Sequence, residues 1–421
     1  MHTATPPPAR GIRLRPQPIG IFPPPVSLLL LPDRADRFAS DALLSGDSRV
    51  LLRDEWRFYR LALQGRPNEA AQLLATDATP IGQYNRFVLA PSAELYSALR
   101  TALPAGLVPL LNAAAYSAGL IDMAPESGEA RDAGLDGELL AMLLTVRATW
   151  HMEREEPEAA LPLLEEAVQR ARPCSPLFAA QLLHQLADLR CGSAPQQAIA
   201  DYREALRLAG ETPLWTLRAE LWLHYGMALQ DAANGRREVL LEAVKAYQEA
   251  IRAGLSQDAN AEMYALAHNN LALAFLAMPM RDSSDQLRMG IAVQSLREAL
   301  KVYHRETHPE LWSSAQLNLA NALQYLPTSH PEENLAQAVE LYEELLTVRN
   351  RALDPLGYGR LLANLANALA HLGMFSPALE KMNEAYKLFH WHNETELAAS
   401  ALELVGRINE RLGSGIEAEK G

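Results

Sequence analysis

The carboxylates and imidazoles of this 421-residue chain occur in patterns that can be tested for chemistry before any fold is assumed. Six glutamates, Glu166, Glu204, Glu249, Glu298, Glu344 and Glu384, each hold the same position of a recurring phrase. Acid–base catalysis needs two titratable groups converging on one bond from unequal surroundings. Glutamates dealt out one per repeat do not converge, and they are expected on solvated or ion-paired helix faces. The histidines cluster as His390-Trp391-His392 and as His304 with His308. A spacing of two on a helix sends the rings to different faces, and neither group has cysteines or carboxylates in a known ligand order. No metal site is expected. His308-Pro309-Glu310 and His330-Pro331-Glu332 read as turns leading into helices, with proline in the first turn. The chain has no glycine-rich phosphate loop of the P-loop type, no Gly-x-Ser-x-Gly elbow and no His-Glu-x-x-His. A non-catalytic chain without a cofactor is the expectation.

What places these residues is a phrase repeated six times. It reads Ala, an apolar residue, two variable positions, Leu/Tyr/Met, a variable position, Glu, usually Ala, then another apolar residue. Copies begin at Ala160, Ala198, Ala243, Ala292, Ala338 and Ala378. Each is preceded by a second helical pattern centred on a small residue: Ala148, Ala187, Gly226, Ala272, Ala320 and Ala366. Small residues at these places let two helices approach closely, so each pair is predicted to be a helical hairpin. A hairpin of this kind buries its apolar face only against its neighbours, and stacking makes a continuous core with a long exposed surface.

His268-Asn-Asn-Leu-Ala-Leu-Ala274, Asn318-Leu-Ala-Asn-Ala322 and Asn364-Leu-Ala-Asn-Ala368, each followed by its glutamate-bearing helix, resemble tetratricopeptide (TPR) repeats. The resemblance spans about residues 138–412 and, more weakly, 49–76. It implies an all-α, right-handed superhelical solenoid of antiparallel hairpins. The second helices here are spaced 38, 45, 49, 46 and 40 residues apart, against the usual TPR period of about 34. They are similar to the longer bacterial variety found in scaffold and signalling proteins. In TPR domains that bind peptide ends, first-helix asparagines hold the peptide backbone and basic residues grip its carboxylate. By that resemblance Asn270, Asn318, Asn321, Asn364 and Asn367 are candidate groove residues, with Arg360 one turn before Asn364. A side-chain amide suits the task because it both donates and accepts. A full carboxylate clamp needs basic residues on successive repeats, and here Arg360 stands alone.

The excess length lies between the helices of three consecutive repeats, at Asp231–Arg237, Met278–Met289 and Leu326–Glu332. Insertions recurring in each repeat project from one edge of a stack and often mark a binding face. Arg236, Arg237, Arg281, Asp282 and His330 are the candidates on that edge.

Composition limits the partners. The net charge is −13 although residues 1–32 carry three arginines and no acid, so phosphate-rich partners are disfavoured and basic ones favoured. No nucleic-acid or membrane partner is expected; no apolar run approaches the roughly 20 residues of a spanning helix. Cys174 and Cys191 form neither a metal pattern nor a disulfide framework, which fits a reducing cytoplasm. Nine prolines within residues 1–32 favour an extended, polyproline-like arm. Residues 33–125 read as an irregular helical capping region with a degenerate repeat, 126–137 as a hinge, 138–412 as the array with a terminal capping helix, and 413–421 as a polar tail. The functional expectation is an adaptor or scaffold binding a protein segment through its groove or its loop edge. The alternative is a maturation or regulatory subunit of an enzyme, or a sensor whose small ligand lies where residues 33–125 meet the array. Oligomeric state is left open.

Overall fold

A computed structural model describes residues 16–32, 36–124, 134–279, 284–327 and 330–418. All regular structure among these residues is helical, and no helix of theirs is long and apolar enough to cross a membrane. The chain forms two compact units, residues 1–228 and 229–421.

In the first unit, α1 (Arg37–Leu44), α2 (Arg57–Leu63), α3 (Pro67–Leu73), α4 (Pro80–Leu89), α5 (Ala93–Ala102) and α6 (Val108–Ser117) are short. They are followed by the hairpins α7 (Gly137–Met152) with α8 (Pro157–Ala171) and α9 (Pro176–Arg190) with α10 (Pro195–Ala209). Helix α11 (Trp215–Asp231) contains the boundary between the units. The second unit holds α12 (Arg237–Arg252) and the hairpins α13 (Ala261–Leu276) with α14 (Ser284–Leu300), α15 (Pro309–Gln324) with α16 (Pro331–Val348), and α17 (Pro355–His371) with α18 (Phe375–Trp391). Helix α19 (Thr395–Ala418) packs on α18 and closes the series. Within each unit, successive hairpins stack through α8 on α9, α14 on α15 and α16 on α17. This is the TPR-like arrangement of antiparallel helix pairs.

The phrase explains the packing. All six of its opening alanines are fully buried, at 0% exposure, as are Ala187, Ala272, Ala320 and Ala366 on the partner helices. A methyl at each crossing sets the close helix approach, and a larger side chain would force the pair apart. Gly359 serves the same purpose in α17, where an added Cβ would stand 2.8 Å from the ring of Phe389. Prolines 157, 176, 195, 309, 331 and 355 each begin a helix, where the missing N–H is not needed.

Residues 1–15 lie outside the described residues, but the rest of the Pro-rich stretch is packed rather than extended into solvent. Ile19, Ile21, Phe22, Val26, Leu29, Leu30 and Leu31 belong to the core of the first unit. The chain turns at Gly20, whose N–H donates to the Ser27 carbonyl at 2.9 Å, and forms a 3₁₀ turn at Val26–Leu28. The run Val26–Leu31 is thus a core segment whose partners come from other helices. Most of the sequence read as a hinge, together with Pro125, Arg281 and Asp282, lies outside the described residues.

Candidate functional site

The first unit already contains a peptide held by side chains. Asn85 of α4 is buried, and its amide brackets one residue: Nδ2 donates to the Leu30 carbonyl at 2.7 Å while Oδ1 accepts from the Leu30 N–H at 2.8 Å. Gln17 Oε1 accepts from the Leu31 N–H at 2.7 Å. The first helices of the array complete the cradle. Glu138 of α7 accepts from the Gln17 N–H at 2.8 Å, and Gln181 of α9 donates through Nε2 to the Ile21 carbonyl at 3.2 Å. Gly20 lies against Phe178 of α9 with φ +75°, and a Cβ there would fall 2.2 Å from the ring. A buried segment without regular ladder partners must satisfy its N–H and C=O groups with side chains. Five polar side chains do that here, the fifth being Tyr84, whose Oη donates to the Leu28 carbonyl at 3.0 Å.

In the second unit the groove asparagines are partly joined. Asn321 Oδ1 accepts from Tyr342 Oη of α16 at 2.7 Å and from Asn364 Nδ2 of α17 at 3.0 Å. Asn367 Nδ2 donates to Tyr325 Oη at 3.2 Å, and Tyr325 is 61% exposed. These bonds run from one first helix to the next, so α15 and α17 share a polar seam. Asn270 accepts from Asn269 at 3.3 Å on α13. Asn318 is half-buried one turn before Asn321 and has no hydrogen-bond partner among the described residues. Arg360 is exposed and forms no ion pair among them. Beyond Asn367 the surface dips into a shallow concavity lined by His371, Phe375 and, from α19, Arg407.

The loop-edge residues divide differently. Arg236 is turned back on its own chain: Nε donates to the Ala233 carbonyl at 3.1 Å and Nη2 to that of Ala232 at 2.9 Å, satisfying carbonyls at the end of α11. Arg237 is half-buried at the start of α12. His330 is exposed before α16, its Nδ1 3.9 Å from Glu333. The other two loop-edge candidates, Arg281 and Asp282, lie outside the described residues.

The phrase glutamates act separately. Tyr264 donates to Glu298 at 2.9 Å, Gln316 to Glu344 at 2.6 Å and Arg351 to Glu384 at 2.8 Å, each joining a glutamate of a second helix to the preceding first helix or its approach. Glu166, Glu204 and Glu249 pair with nearby arginines.

Sequence reasoning missed Tyr325 and the five side chains that hold residues 17–31. Gln17 and Asn85 are among these groups. Their partners lie 14 and 55 residues away along the chain, and no local pattern announces such a pairing.

The chain matches no protein-family model and no curated protein sequence. Among solved structures it is similar to the apo form of RapI, with 12% identity over 85% of this chain and 97% of that one, at a TM-score of 0.45. A Rap protein complexed with competence and sporulation factor matches at 12% identity over 90% and 94%, with a TM-score of 0.34. A signal transduction ATPase with a tetratricopeptide repeat sensor from Pyrococcus horikoshii matches at 16% identity over 89% of this chain and 54% of that one, with a TM-score of 0.39. None reaches a TM-score of 0.5, and the functional reading rests on the chain's own geometry.

Proposed function

We propose that this chain is a non-catalytic scaffold that captures an extended segment of a partner protein on the first-helix face of its second unit. The observation that carries the reading is the hold of Glu138 and Gln181, both on first helices, over the backbone of residues 17–21. The same helix type in the second unit presents Asn318, Asn321, Asn364 and Asn367, whose amides match that of Gln181. Rigid helices fix the spacing of these amides in advance, so the receptor loses little entropy when the segment binds. Arg360 adds one exposed cation, suited to a carboxylate of the segment. The overall charge of −13 favours a segment that is otherwise basic, and association would weaken with salt.

Asn318 and Arg360 give the cleanest test because neither has a protein partner to lose. Peptides selected from a displayed random library on the full chain should bind Asn318→Ala/Arg360→Ala about tenfold more weakly, the worth of roughly 1.4 kcal/mol from the lost hydrogen bonds. The thermal midpoint of the double variant should barely move, since substitutions away from packed or bonded sites usually stay within about 0.5 kcal/mol. Selected peptides that bind both forms equally, or that cross-link outside α13, α15 and α17, would overturn the proposal.

A further inference from the structure

We propose that His184, Asp188 and His224 form a binding site for a divalent cation of the zinc class, on the first-helix face of the first unit. His184 and Asp188 are one turn apart on α9, and His224 comes from α11. Their ligand atoms all lie within 4.8 Å of one another. Two of the separations already suit a metal: His184 Nε2 stands 3.4 Å from Asp188 Oδ2, and His224 Nδ1 stands 3.1 Å from Asp188 Oδ1. Ligands about 2.0–2.1 Å from a tetrahedral zinc are about 3.3 Å apart. The half-exposed ring of His224 need only rotate toward His184 to complete the set.

Ordinary hydrogen bonding leaves this cluster unfinished. Asp188 Oδ1 accepts from Tyr202 Oη and faces His224 Nδ1. His184 Nε2, by contrast, is buried and makes no properly directed hydrogen bond among the described residues, although it points at Asp188 Oδ2. A buried ring nitrogen without a partner is costly, and a cation between the two imidazoles removes that cost. The rings meet edge to face with centroids 4.7 Å apart. Two imidazole nitrogens and one carboxylate favour zinc, nickel, cobalt or copper over calcium or magnesium, which require oxygen-rich cages. Tyr202 fixes the orientation of the carboxylate, a hydrogen bond of the kind that tunes metal affinity from outside the ligand set. Water would complete a four-coordinate set, as at zinc sites with three protein ligands.

The cation would act as a rivet. Gln181, which holds the Ile21 carbonyl, lies one turn before His184 on the same face of α9. Joining α9 to α11 through the metal fixes the spacing of two successive first helices beside the captured segment.

The test uses the full chain stripped of metal and titrated with Zn²⁺ in a calorimeter, with Co²⁺ absorption as a spectroscopic readout. One equivalent should bind to the wild type. His224→Gln and Asp188→Asn should each weaken binding by roughly 100-fold or more, and Tyr202→Phe by about 10- to 100-fold. Since a variant can fail to fold, the wild type is also carbethoxylated with and without Zn²⁺ and mapped by mass spectrometry. Zinc should shield His224 and leave His390 and His392 reactive. Absence of stoichiometric binding, unchanged affinity in a folded His224→Gln variant, or labelling of His224 that zinc does not reduce would each overturn the site.

Discussion

Replacing Gly20 by alanine should release the packed N-terminal segment, and the structure sets the size of the effect. Gly20 has φ +75°, where an L-residue costs roughly 1–2 kcal/mol. The new methyl would lie 2.2 Å from Phe178, so the ring or the segment must shift, at an overpacking cost of about 1–3 kcal/mol. The two together give about 2–5 kcal/mol, a rise of roughly 30-fold to several-thousand-fold in the equilibrium for segment opening. Opening of one segment is read better by hydrogen exchange than by global unfolding, because local and global stabilities differ. The relevant amides are those of Leu29, bonded to the Val26 carbonyl, Leu30, bonded to Asn85, and Leu31, bonded to Gln17. Mass spectrometry of a peptide covering residues 19–31 should show the acceleration, while a peptide from α17 in the second unit should not. Adding Phe178→Leu should return much of the overpacking part but none of the dihedral part, leaving a coupling on the order of 1–3 kcal/mol between the two sites. Exchange that accelerates less than threefold in Gly20→Ala would refute the argument that this glycine is required.

Two further outcomes follow from burial. Burial holds the imidazole of His268 below the ordinary histidine value of 6.5, against a smaller opposing pull from Glu298 and with a minor contribution from Lys301. The unfolded chain therefore takes up a proton at His268 before the folded chain does, so its contribution to stability is intact above pH 6.5 and is lost as the pH falls toward the lower folded value. Melting of His268→Gln beside the wild type from pH 7.5 to 5 should show the wild type losing ground; a constant difference would refute this. Ala338 is fully buried at a helix crossing, and Ala338→Leu should cost about 1–3 kcal/mol, seen as faster exchange in α15 and α16 with α7 and α8 unaffected.

How far the molecule was legible depended on the distance over which residues cooperate. The alanine phrase states its own role: a methyl every repeat, in register with a small residue on the partner helix, leaves little choice but a hairpin, and those alanines are the points of full burial. The prolines likewise mark helix starts through a rule confined to one turn. The packing of residues 16–31 was hidden because its proline content argues for extension, while the decisive bonds come from Asn85, Glu138 and Gln181, up to 160 residues away. The same holds for the histidines. His390-Trp391-His392 drew attention by proximity, whereas His184 and His224 stand 40 positions apart and meet only because α9 and α11 are successive first helices. The one local sign was His184 and Asp188 at a spacing of four, a common pair on any helix. The asparagine motif was visible as a motif, but the Asn321–Asn364 bond across repeats was not.

The hold of Gln181 on Ile21 also carries a cost in time. A chain is made from its N-terminus at about 5–20 residues per second, so the 160 residues between these partners take roughly 8–30 s to appear. For much of that interval the stretch Val26–Leu31 has been made while α9, which will shelter part of the segment, does not yet exist. A nascent chain in this condition presents a greasy, unpaired strand to its neighbours. The dense prolines around it, poor at joining a β-ladder, therefore guard the stretch against sticking during synthesis.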